Sequence, residues 1–458
     1  MTPPVRRVAA AEVRRALVGA RQVAVLDDDP TGTQTVRDLP VLTRWSVEDI
    51  RWALRQGRAG FFVLTNTRSL APADAAARSR EVAEACLAAA ELEGVRLAFA
   101  SRSDSTLRGH FPLETDVLGE VVAAHGAEVD AVLLAPAYVD AGRLTIDGTH
   151  WLRTAEGLLP AAESEFARDA TFGYRSSRLA EWVEEKSGGR IPSSSVTELR
   201  LDAIRTGTTD AVRARLDGPV VVLDADEDDD LRASVLAILS AEAAGKTFLY
   251  RVGPSFVRAR VGQDASPPID DATLAELVQG DTHGLVVVGS HVGLTSRQLD
   301  HLSGRRKFTT VELDVPTVLD DARAGQHLRD AVTTATAALT ESLVVLQTSR
   351  TLVTGDDEAG SLDIARRVSA ALTRVAGEIV VARRPSYVVG KGGITSSDVA
   401  TESLGIGRAW IRGSLLPGIV SLWEPASGPA EGLPYVVFAG NVGGETSLAD
   451  VIDRLENA

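Results

Sequence analysis

The regular alternation of short apolar runs with helix-like stretches is the feature that most constrains the fold of this chain. In the first half, the runs are Val23 to Leu26, Phe61 to Leu64, Leu97 to Ala100, Ala131 to Ala135 and Val220 to Leu223. Segments rich in Ala, Arg and Glu, with the period of a helix, separate them. This alternation predicts an α/β fold with mainly parallel sheets.

A polar, proline-containing stretch at 262–271 interrupts the alternation, which then restarts. The later apolar runs are Leu285 to Val288, Leu343 to Leu346, Tyr387 to Val389, Gly418 to Leu422 and Tyr435 to Phe438. Because 458 residues exceed the size of one ordinary core, the restart predicts two α/β domains, 1–265 and 266–458. Ligands of such sheets bind beyond the carboxyl ends of the strands, and we expect the active site in the cleft between the domains.

The composition excludes several classes of protein. Hydrophobic residues make up 44% of the chain and charged residues 24%, which is typical of a globular protein. The formal net charge of -15, without a long basic run, disfavours nucleic acid and anionic membranes as partners. The single cysteine, Cys86, excludes an intrachain disulfide, and no apolar segment is long enough to span a membrane. We therefore expect a cytoplasmic protein.

An acidic cluster follows the first apolar run. Asp27, Asp28 and Asp29 are adjacent and precede a tight-turn signal that contains Thr31 and Gly32. Neighbouring carboxylates raise one another's pKa unless a cation, a metal or a hydroxyl donor compensates them. A solvated acidic turn that caps a helix is the alternative, but the position directly after an apolar strand favours a functional site.

Two further polar clusters follow later strands. Ser101 to Gly109 combines two guanidinium groups with four hydroxyls and a carboxylate, and Pro136 to Gly148 contains Arg143 and Asp147. An arginine fork binds a carboxylate through two parallel hydrogen bonds, whereas Asp, Ser and Thr side chains bind hydroxyls. The alternative is a helix N-cap with surface ion pairs. The three clusters together predict a site for a polyhydroxy acid.

Three glycine-rich loops in the second half each follow a predicted strand. Glycines let backbone N–H groups approach phosphate oxygens, and a following helix N-terminus adds partial positive charge. Any one loop could be a tight turn, but three in one domain favour a nucleotide. His291, beside Gly289, is more often a structural histidine than a functional one. The candidate nucleotide-binding residues are Gly289, Ser290, Gly392, Gly393, Thr395, Ser396, Gly440, Asn441 and Gly443.

These motifs resemble the four-carbon acid sugar kinase family, whose members use ATP to phosphorylate threonate, erythronate or oxo-tetronate-type acids. The D-D-x-T-G, K-x-D-S-T-L-R-G and G-R-x-T-x-x-G motifs match Asp28 to Gly32, Arg102 to Gly109 and Gly142 to Gly148. The G-G-x-T-S and S-G-N-x-G motifs resemble Gly392 to Ser396 and Ala439 to Gly443. The resemblance covers nearly the whole chain and implies a substrate domain followed by an ATP domain.

Three positions depart from the family pattern. Arg102 stands where a lysine is usual, Ala439 replaces a serine, and Ile394 occupies an expected acidic position. These departures leave the substrate open, since the chain is also similar to kinases of branched or keto sugar acids such as oxo-isoapionate.

Phosphoryl transfer to a hydroxyl needs a proton acceptor, and Asp28 or Asp29 is the candidate base. We expect Arg108 and Arg102 to hold the carboxylate of the acid, and Asp104 and Arg143 to hold its hydroxyls. The remaining candidates for substrate binding are Thr31, Gly32, Ser105, Thr106 and Asp147. Mg²⁺ is expected with ATP, although the sequence identifies no ligand set for it.

Two other functions fit parts of the sequence. The segment from Asp27 to Thr31 also matches the D-x-D-x-T motif of haloacid-dehalogenase-type phosphatases, with Asp27 and Asp29 as the catalytic pair. That alternative explains neither the Arg102 to Gly109 cluster nor the glycine-rich loops. A sugar-acid sensor without turnover is the second alternative, and consumption of ATP distinguishes it. A homodimer is the expected assembly.

Overall fold

The computed structural model describes residues 3–290, 292–349, 353, 358–440 and 442–458. The chain divides into two compact units, Met1–Ser266 and Pro267–Ala458. Strands alternate with helices in both units, and most strand pairs are parallel, so the predicted α/β fold is confirmed. His291 and Asn441, which the sequence singles out, lie outside the described residues.

The first unit is built on one parallel sheet with helices on its faces. Its strands are β1 (Gln22–Asp27), β2 (Leu39–Leu42), β3 (Gly60–Leu64), β4 (Leu97–Arg102), β5 (Ala131–Ala135), β6 (Arg143–Ile146), β7 (Thr149–Thr154), β8 (Gly157–Pro160), β9 (Thr197–Leu199), β10 (Val220–Leu223) and β11 (Phe248–Val252). Its helices are α1 (Ala10–Ala16), α2 (Val47–Arg55), α3 (Pro72–Glu93), α4 (Leu113–Ala124), α5 (Leu179–Lys186), α6 (Leu201–Thr206), α7 (Thr209–Arg213), α8 (Asp228–Ala243) and α9 (Pro254–Arg260). The sheet order is β2-β3-β1-β4-β11-β5-β10-β9, and β6, β7 and β8 form a separate antiparallel sheet.

The second unit has a mixed sheet. Its strands are β12 (Leu285–Val288), β13 (Thr309–Leu313), β14 (Val344–Thr348), β15 (Val388–Lys391), β16 (Arg408–Leu416), β17 (Ile419–Pro425) and β18 (Tyr435–Phe438). Its helices are α10 (Asp271–Leu277), α11 (Gly293–Arg305), α12 (Val315–Leu319), α13 (Asp321–Ala338), α14 (Glu358–Ala382), α15 (Gly393–Asp398) and α16 (Ser447–Glu456). The order is β13-β14-β12-β15-β18-β17-β16, with β17 antiparallel to both of its neighbours.

Burial on both faces explains why the central strands read as continuous apolar runs. In β1, the residues from Val23 to Leu26 are all buried, and Ala24 packs with Phe61 and Val63 in a core that α3 covers. Cys86 lies in this core, and burial raises the pKa of its thiol. Among the described helices, none is both long and apolar enough to cross a membrane.

All ten predicted apolar runs coincide with strands, and their ends differ by at most three residues. The sequence missed eight strands: β2, β6, β7, β8, β9, β11, β13 and β16. The omission of β11 matters most because this strand lies between β4 and β5 in the sheet and places Arg251 beside Ser101. Its sequence, FLYRV, contains an arginine, which interrupts the apolar pattern by which the other strands were recognised.

Candidate functional site

Four adjacent strands of the first unit end at the same edge of the sheet. In the order β3-β1-β4-β11, Leu64 pairs with Asp27, Asp27 with Arg102, and Arg102 with Val252. Parallel sheets bind ligands beyond this edge. The polar segments that follow these strands therefore converge on one region.

Asp27 and Arg102 form a buried ion pair at the centre of this edge. Arg102 Nη2 donates to Asp27 Oδ1 and, at 2.5 Å, to the backbone oxygen of Asp29. A Cβ atom on Gly32 would lie 2.2 Å from Arg102 Nε and 2.3 Å from Asp27 Oδ2. Only glycine leaves room for this pair. Burial lowers the pKa of Arg102 to about 10, so that it stays charged at neutral pH.

Asp28 is held by an arginine that the sequence analysis did not single out. Arg68 Nη2 and Nε donate to Asp28 Oδ1 and Oδ2 at 2.5 and 3.1 Å, which makes a bidentate pair. Burial raises the pKa of Asp28 to about 7, with Arg68 opposing and Glu114 adding to the rise. A carboxyl group that titrates near neutral pH is suited to accept a proton from a substrate.

Asp29 has a different role from Asp28 in the local structure. Its Oδ1 accepts hydrogen bonds from the backbone N and Oγ1 of Thr31, at 2.9 and 2.5 Å, and so caps the 3₁₀ turn Pro30–Thr35. Its Oδ2 lies 3.4 Å from Arg68 Nη1. The hydrogen bonds of Asp29 therefore hold the turn, whereas Asp28 is the candidate base that Arg68 grips with two hydrogen bonds.

Asp104, Thr106 and Arg108 form a second charged group after β4. Asp104 Oδ2 accepts from Arg108 Nε at 2.5 Å and from Thr106 Oγ1. Burial opposes ionisation of Asp104, but Arg68 and Arg108 outweigh it and lower the pKa of Asp104 to about 2. Arg108 is only partly buried, and its guanidinium carbon lies 5.0 Å from the centre of the Phe166 ring. Its Nη1 also lies 3.5 Å from Asp169 Oδ2, and 23% of the side chain remains exposed.

A buried hydrogen-bond network around Glu114 lies next to these groups, and the sequence analysis missed it. Glu114, in the first turn of α4, accepts hydrogen bonds from Thr67, Ser101 and Arg251 at 2.6, 2.6 and 2.8 Å. A Cβ on Gly109, where φ is +115°, would lie 2.9 Å from Asp28 Oδ2 and 3.0 Å from Arg251 Nη2. Thr67 and Arg68 could have been found from the sequence, because they belong to the polar segment that follows β3.

Three buried guanidinium nitrogens near this sheet edge have no hydrogen-bond partner among the described residues. They are Arg102 Nε, Arg143 Nε and Arg251 Nη2, and Asp27 Oδ2 is unpartnered as well. Arg143 interacts electrostatically with Asp104 and Arg108, so it belongs to the same region. An unpaired buried donor costs free energy, on the order of 1–3 kcal/mol each. Such donors are suited to an anionic, hydroxyl-rich ligand that would satisfy them.

The structure brings most of the predicted substrate-binding residues together, with Asp147 as the exception. Asp147 is exposed in the turn between β6 and β7, where its backbone N donates to Asp224 Oδ2 at 2.8 Å. Ser105 is buried, and its backbone oxygen lies 2.7 Å from His150 Nε2. The described contacts of Asp147 do not connect it with the cluster around Asp28.

The glycine-rich loops of the second unit follow three neighbouring strands, β12, β15 and β18. Thr295 Oγ1 donates to the backbone oxygen of Gly440 at 3.1 Å and to Ser290 Oγ at 3.3 Å. A Cβ on Gly289 would lie 2.4 Å from Thr395 Oγ1, and one on Gly440 would lie 2.6 Å from Ser290 Oγ. The loops are therefore packed against one another without room for side chains.

Individual positions in these loops have separate roles. Gly392, with φ at +129°, precedes α15, whose first residue is Gly393. Ser396 Oγ donates to the backbone oxygen of Gly390 at 2.6 Å, so it braces the loop. Gly443, with φ at +82°, approaches Ser447 at the start of α16.

Lys391 is a further polar residue at this edge, to which the sequence analysis gave no role. It is fully buried at the end of β15, and its Nζ donates to the backbone oxygen of Ala439 at 2.7 Å. Burial lowers its pKa to about 7. Lys391 thus links the loop after β15 to the loop after β18.

The two units match two family models in the same order. Residues 23–260 match a sugar-binding N-terminal domain, and residues 285–448 match a nucleotide-binding C-terminal domain. The chain belongs to the four-carbon acid sugar kinase family. The resemblance that the motifs indicated is thereby confirmed.

Curated relatives agree with this membership, and a solved structure has a similar fold. The chain is 27% identical over 418 residues to a D-threonate kinase of Salmonella typhimurium, covering 87% of this chain and 89% of the relative. It is 28% identical over 283 residues to a 3-oxo-isoapionate kinase of Paraburkholderia graminis, covering 58% of each. Haemophilus influenzae protein HI1011 has a similar fold, with a TM-score of 0.62 at 16% identity over 94% of this chain and 100% of that chain.

Proposed function

We propose that this protein is an ATP-dependent kinase that phosphorylates a hydroxyl group of a small sugar acid with four or five carbon atoms. The observation that carries the proposal is the set of unpaired guanidinium donors of Arg102, Arg143 and Arg251 in the first unit, around a carboxyl group of raised pKa, Asp28. The names of the relatives support the same class of reaction.

In this proposal the first unit binds the acid. Arg108, partly exposed beside Asp104, is the residue proposed for the carboxylate, because a planar guanidinium can take both carboxylate oxygens. Arg143 is proposed to contact substrate hydroxyls. Arg102 is instead occupied mainly by Asp27, so its proposed contribution is limited to the unpaired Nε–H.

Asp28 is the proposed base. Its carboxylate takes the proton of the substrate hydroxyl while that oxygen attacks the γ-phosphorus of ATP, and the bond from phosphorus to the ADP oxygen breaks. ADP leaves with the bonding electron pair. Arg68 keeps a fraction of Asp28 ionised at neutral pH, which burial alone would suppress.

The second unit is proposed to bind ATP. Its three glycine-rich loops offer backbone N–H groups at strand ends that lack obstructing side chains. Ile394, 68% exposed, adjoins one loop and offers an apolar surface to the adenine base. No group of three or more His, Cys, Asp or Glu in the described ranges fits a metal ion by itself, so Mg²⁺ is proposed to arrive bound to the phosphates of ATP.

A screen of sugar acids tests the proposal. Purified protein is mixed with ATP, Mg²⁺ and single four- or five-carbon acids, and ADP formation is followed. We expect ADP to form with at least one acid and not without acid, and Asp28→Asn to lose this activity. Saturable binding of the acids without ADP formation would support the sensor alternative instead.

A further inference from the structure

A cavity of about 560 Å³ lies in the first unit, at the opposite end of β1 from Asp28. It is lined by Gln22, the first residue of β1, and by Ala59, directly before β3. The six residues of β1 separate it from the candidate active site by roughly 17 Å, at about 3.3 Å per residue. It is therefore distinct from the site where we place the acid.

The lining of this cavity is strongly basic. Arg14, Arg21, Arg37 and Arg58 line it together with a single acidic residue, Asp38, which gives a formal charge of +3. The chain as a whole carries -15. A concentration of positive charge in an acidic protein raises the local concentration of anions.

The side chains of Arg14 and Arg21 form hydrogen bonds with uncharged groups. Arg14 Nη1 donates to the backbone oxygen of Gly262 at 2.7 Å, and Arg21 Nη2 to Thr247 Oγ1 at 3.1 Å. Arg21 Nε is buried and has no hydrogen-bond partner in the described part of the chain. Among the residues that the structure describes, no carboxylate oxygen forms a salt bridge with Arg14, Arg21 or Arg37. The charges of Arg14 and Arg37 remain available to a ligand, and Arg21 also interacts electrostatically with Asp130.

The walls of the cavity are fixed by specific contacts. Gly262 has φ at +70°, and a Cβ there would lie 2.8 Å from Arg14 Cγ, so glycine permits the close approach of this side chain. The Gln263 side chain accepts from the backbone N of Arg37 at 3.0 Å and donates to its backbone oxygen at 2.7 Å. These contacts hold α1, the turn at Arg37 and the end of α9 in place.

We propose that this cavity binds a small multivalent anion of the phosphate type, at a site separate from catalysis. Guanidinium groups bind phosphate oxygens through parallel hydrogen bonds, and several of them around one cavity match a ligand with two or more negative charges. The volume suits a small metabolite and lies within the usual range for ligand pockets. Inorganic phosphates and phosphorylated organic acids share this chemistry.

Calorimetry with inorganic pyrophosphate and with 3-phosphoglycerate as probes tests the site. The variants are Arg37→Ala, whose side chain has no described partner to lose, and the double variant Arg14→Ala/Arg37→Ala. The matched control is Arg15→Ala, because Arg15 is exposed on the same helix and does not line the cavity, and its side chain donates to the backbone oxygen of Ala11 at 3.4 Å. Melting temperatures verify that all variants are folded.

We expect saturable binding of at least one probe to the unmodified protein, weakened roughly tenfold in Arg37→Ala and further in the double variant. Arg15→Ala should bind like the unmodified protein. The probe with the higher affinity distinguishes an inorganic from an organic phosphate, and either order supports the site. Absence of saturable binding, unchanged affinity in the double variant, or an equal loss in Arg15→Ala would overturn it. Binding is measured without turnover, so the result does not depend on the kinase activity.

Discussion

Replacement of Arg68 by glutamine tests the assignment of Asp28 as the base. Arg68 makes a bidentate, largely buried pair with Asp28, at 2.5 and 3.1 Å, and its charge opposes the rise that burial imposes on the pKa of Asp28. Glutamine removes the charge but keeps a polar side chain of moderate length. The carboxylate of Asp28 then loses its main stabilising partner.

The magnitude follows from the geometry of the pair. A hydrogen-bonded pair to a charged group is worth about 1.5–3 kcal/mol, and about 1.4 kcal/mol corresponds to one pH unit. The pKa of Asp28, about 7 in the unmodified protein, should therefore rise by roughly one to two pH units in Arg68→Gln. Because the base acts only when ionised, and Asp28 is about half ionised at pH 7, activity at neutral pH should fall about five- to fiftyfold and recover as the pH is raised.

The assay is the pH dependence of kcat/KM, which reports the ionisation of the free enzyme. Arg78→Gln is the matched control, because Arg78 donates to the backbone oxygen of Thr65 at the same sheet edge but is not paired with Asp28. Its acidic limb should stay near the position seen for the unmodified protein. An acidic limb that is unmoved in Arg68→Gln would refute Asp28 as the titrating base.

Three further predictions concern the packing and the division of labour. Gly32→Ala should abolish turnover, because its Cβ would displace the Asp27–Arg102 pair. The control Gly119→Ala should stay active, because its Cβ would make only an ordinary contact at 3.8 Å. Equal kinetics of the two variants would contradict this prediction. Arg108→Ala should weaken acid binding about ten- to a hundredfold in calorimetry and leave the affinity for a nonhydrolysable ATP analogue unchanged; loss of the analogue would count against the assignment. Gly392→Ala should lose the ATP analogue because φ is +129° and its Cβ would lie 2.9 Å from Thr395 Oγ1, whereas Gly304→Ala on α11 has open space and should bind normally.

The sequence was sufficient to predict the alternation of strands and helices and the motifs at the strand ends. Continuous apolar runs such as Val220 to Leu223 identify buried parallel strands directly, because both faces are covered. The clusters at Asp28 and Asp104 were found because polar residues that follow such a run lie at the sheet edge where ligands bind. The same rule, applied to the residues after Phe61 to Leu64, would have found Arg68.

Other parts of the site depend on packing that no local pattern encodes. Arg251 and Glu114 are 137 residues apart in sequence and meet only because β11 is inserted beside β4. The burial that raises the pKa of Asp28, and the partner that opposes it, are likewise properties of the folded chain. Asp147 shows the converse, since its motif position suggested the site but the hairpin turn places it with Asp224.

The fate of the γ-phosphate tests the central claim most directly. The protein is incubated with ATP labelled in the γ-phosphate, Mg²⁺ and an acid that supports ADP formation, and the labelled products are separated. We predict that the label appears on the sugar acid, in an amount equal to the ADP formed, and that Asp28→Asn transfers none. Label found as inorganic phosphate with the acid unmodified would contradict a kinase whose acid is held beside Asp28.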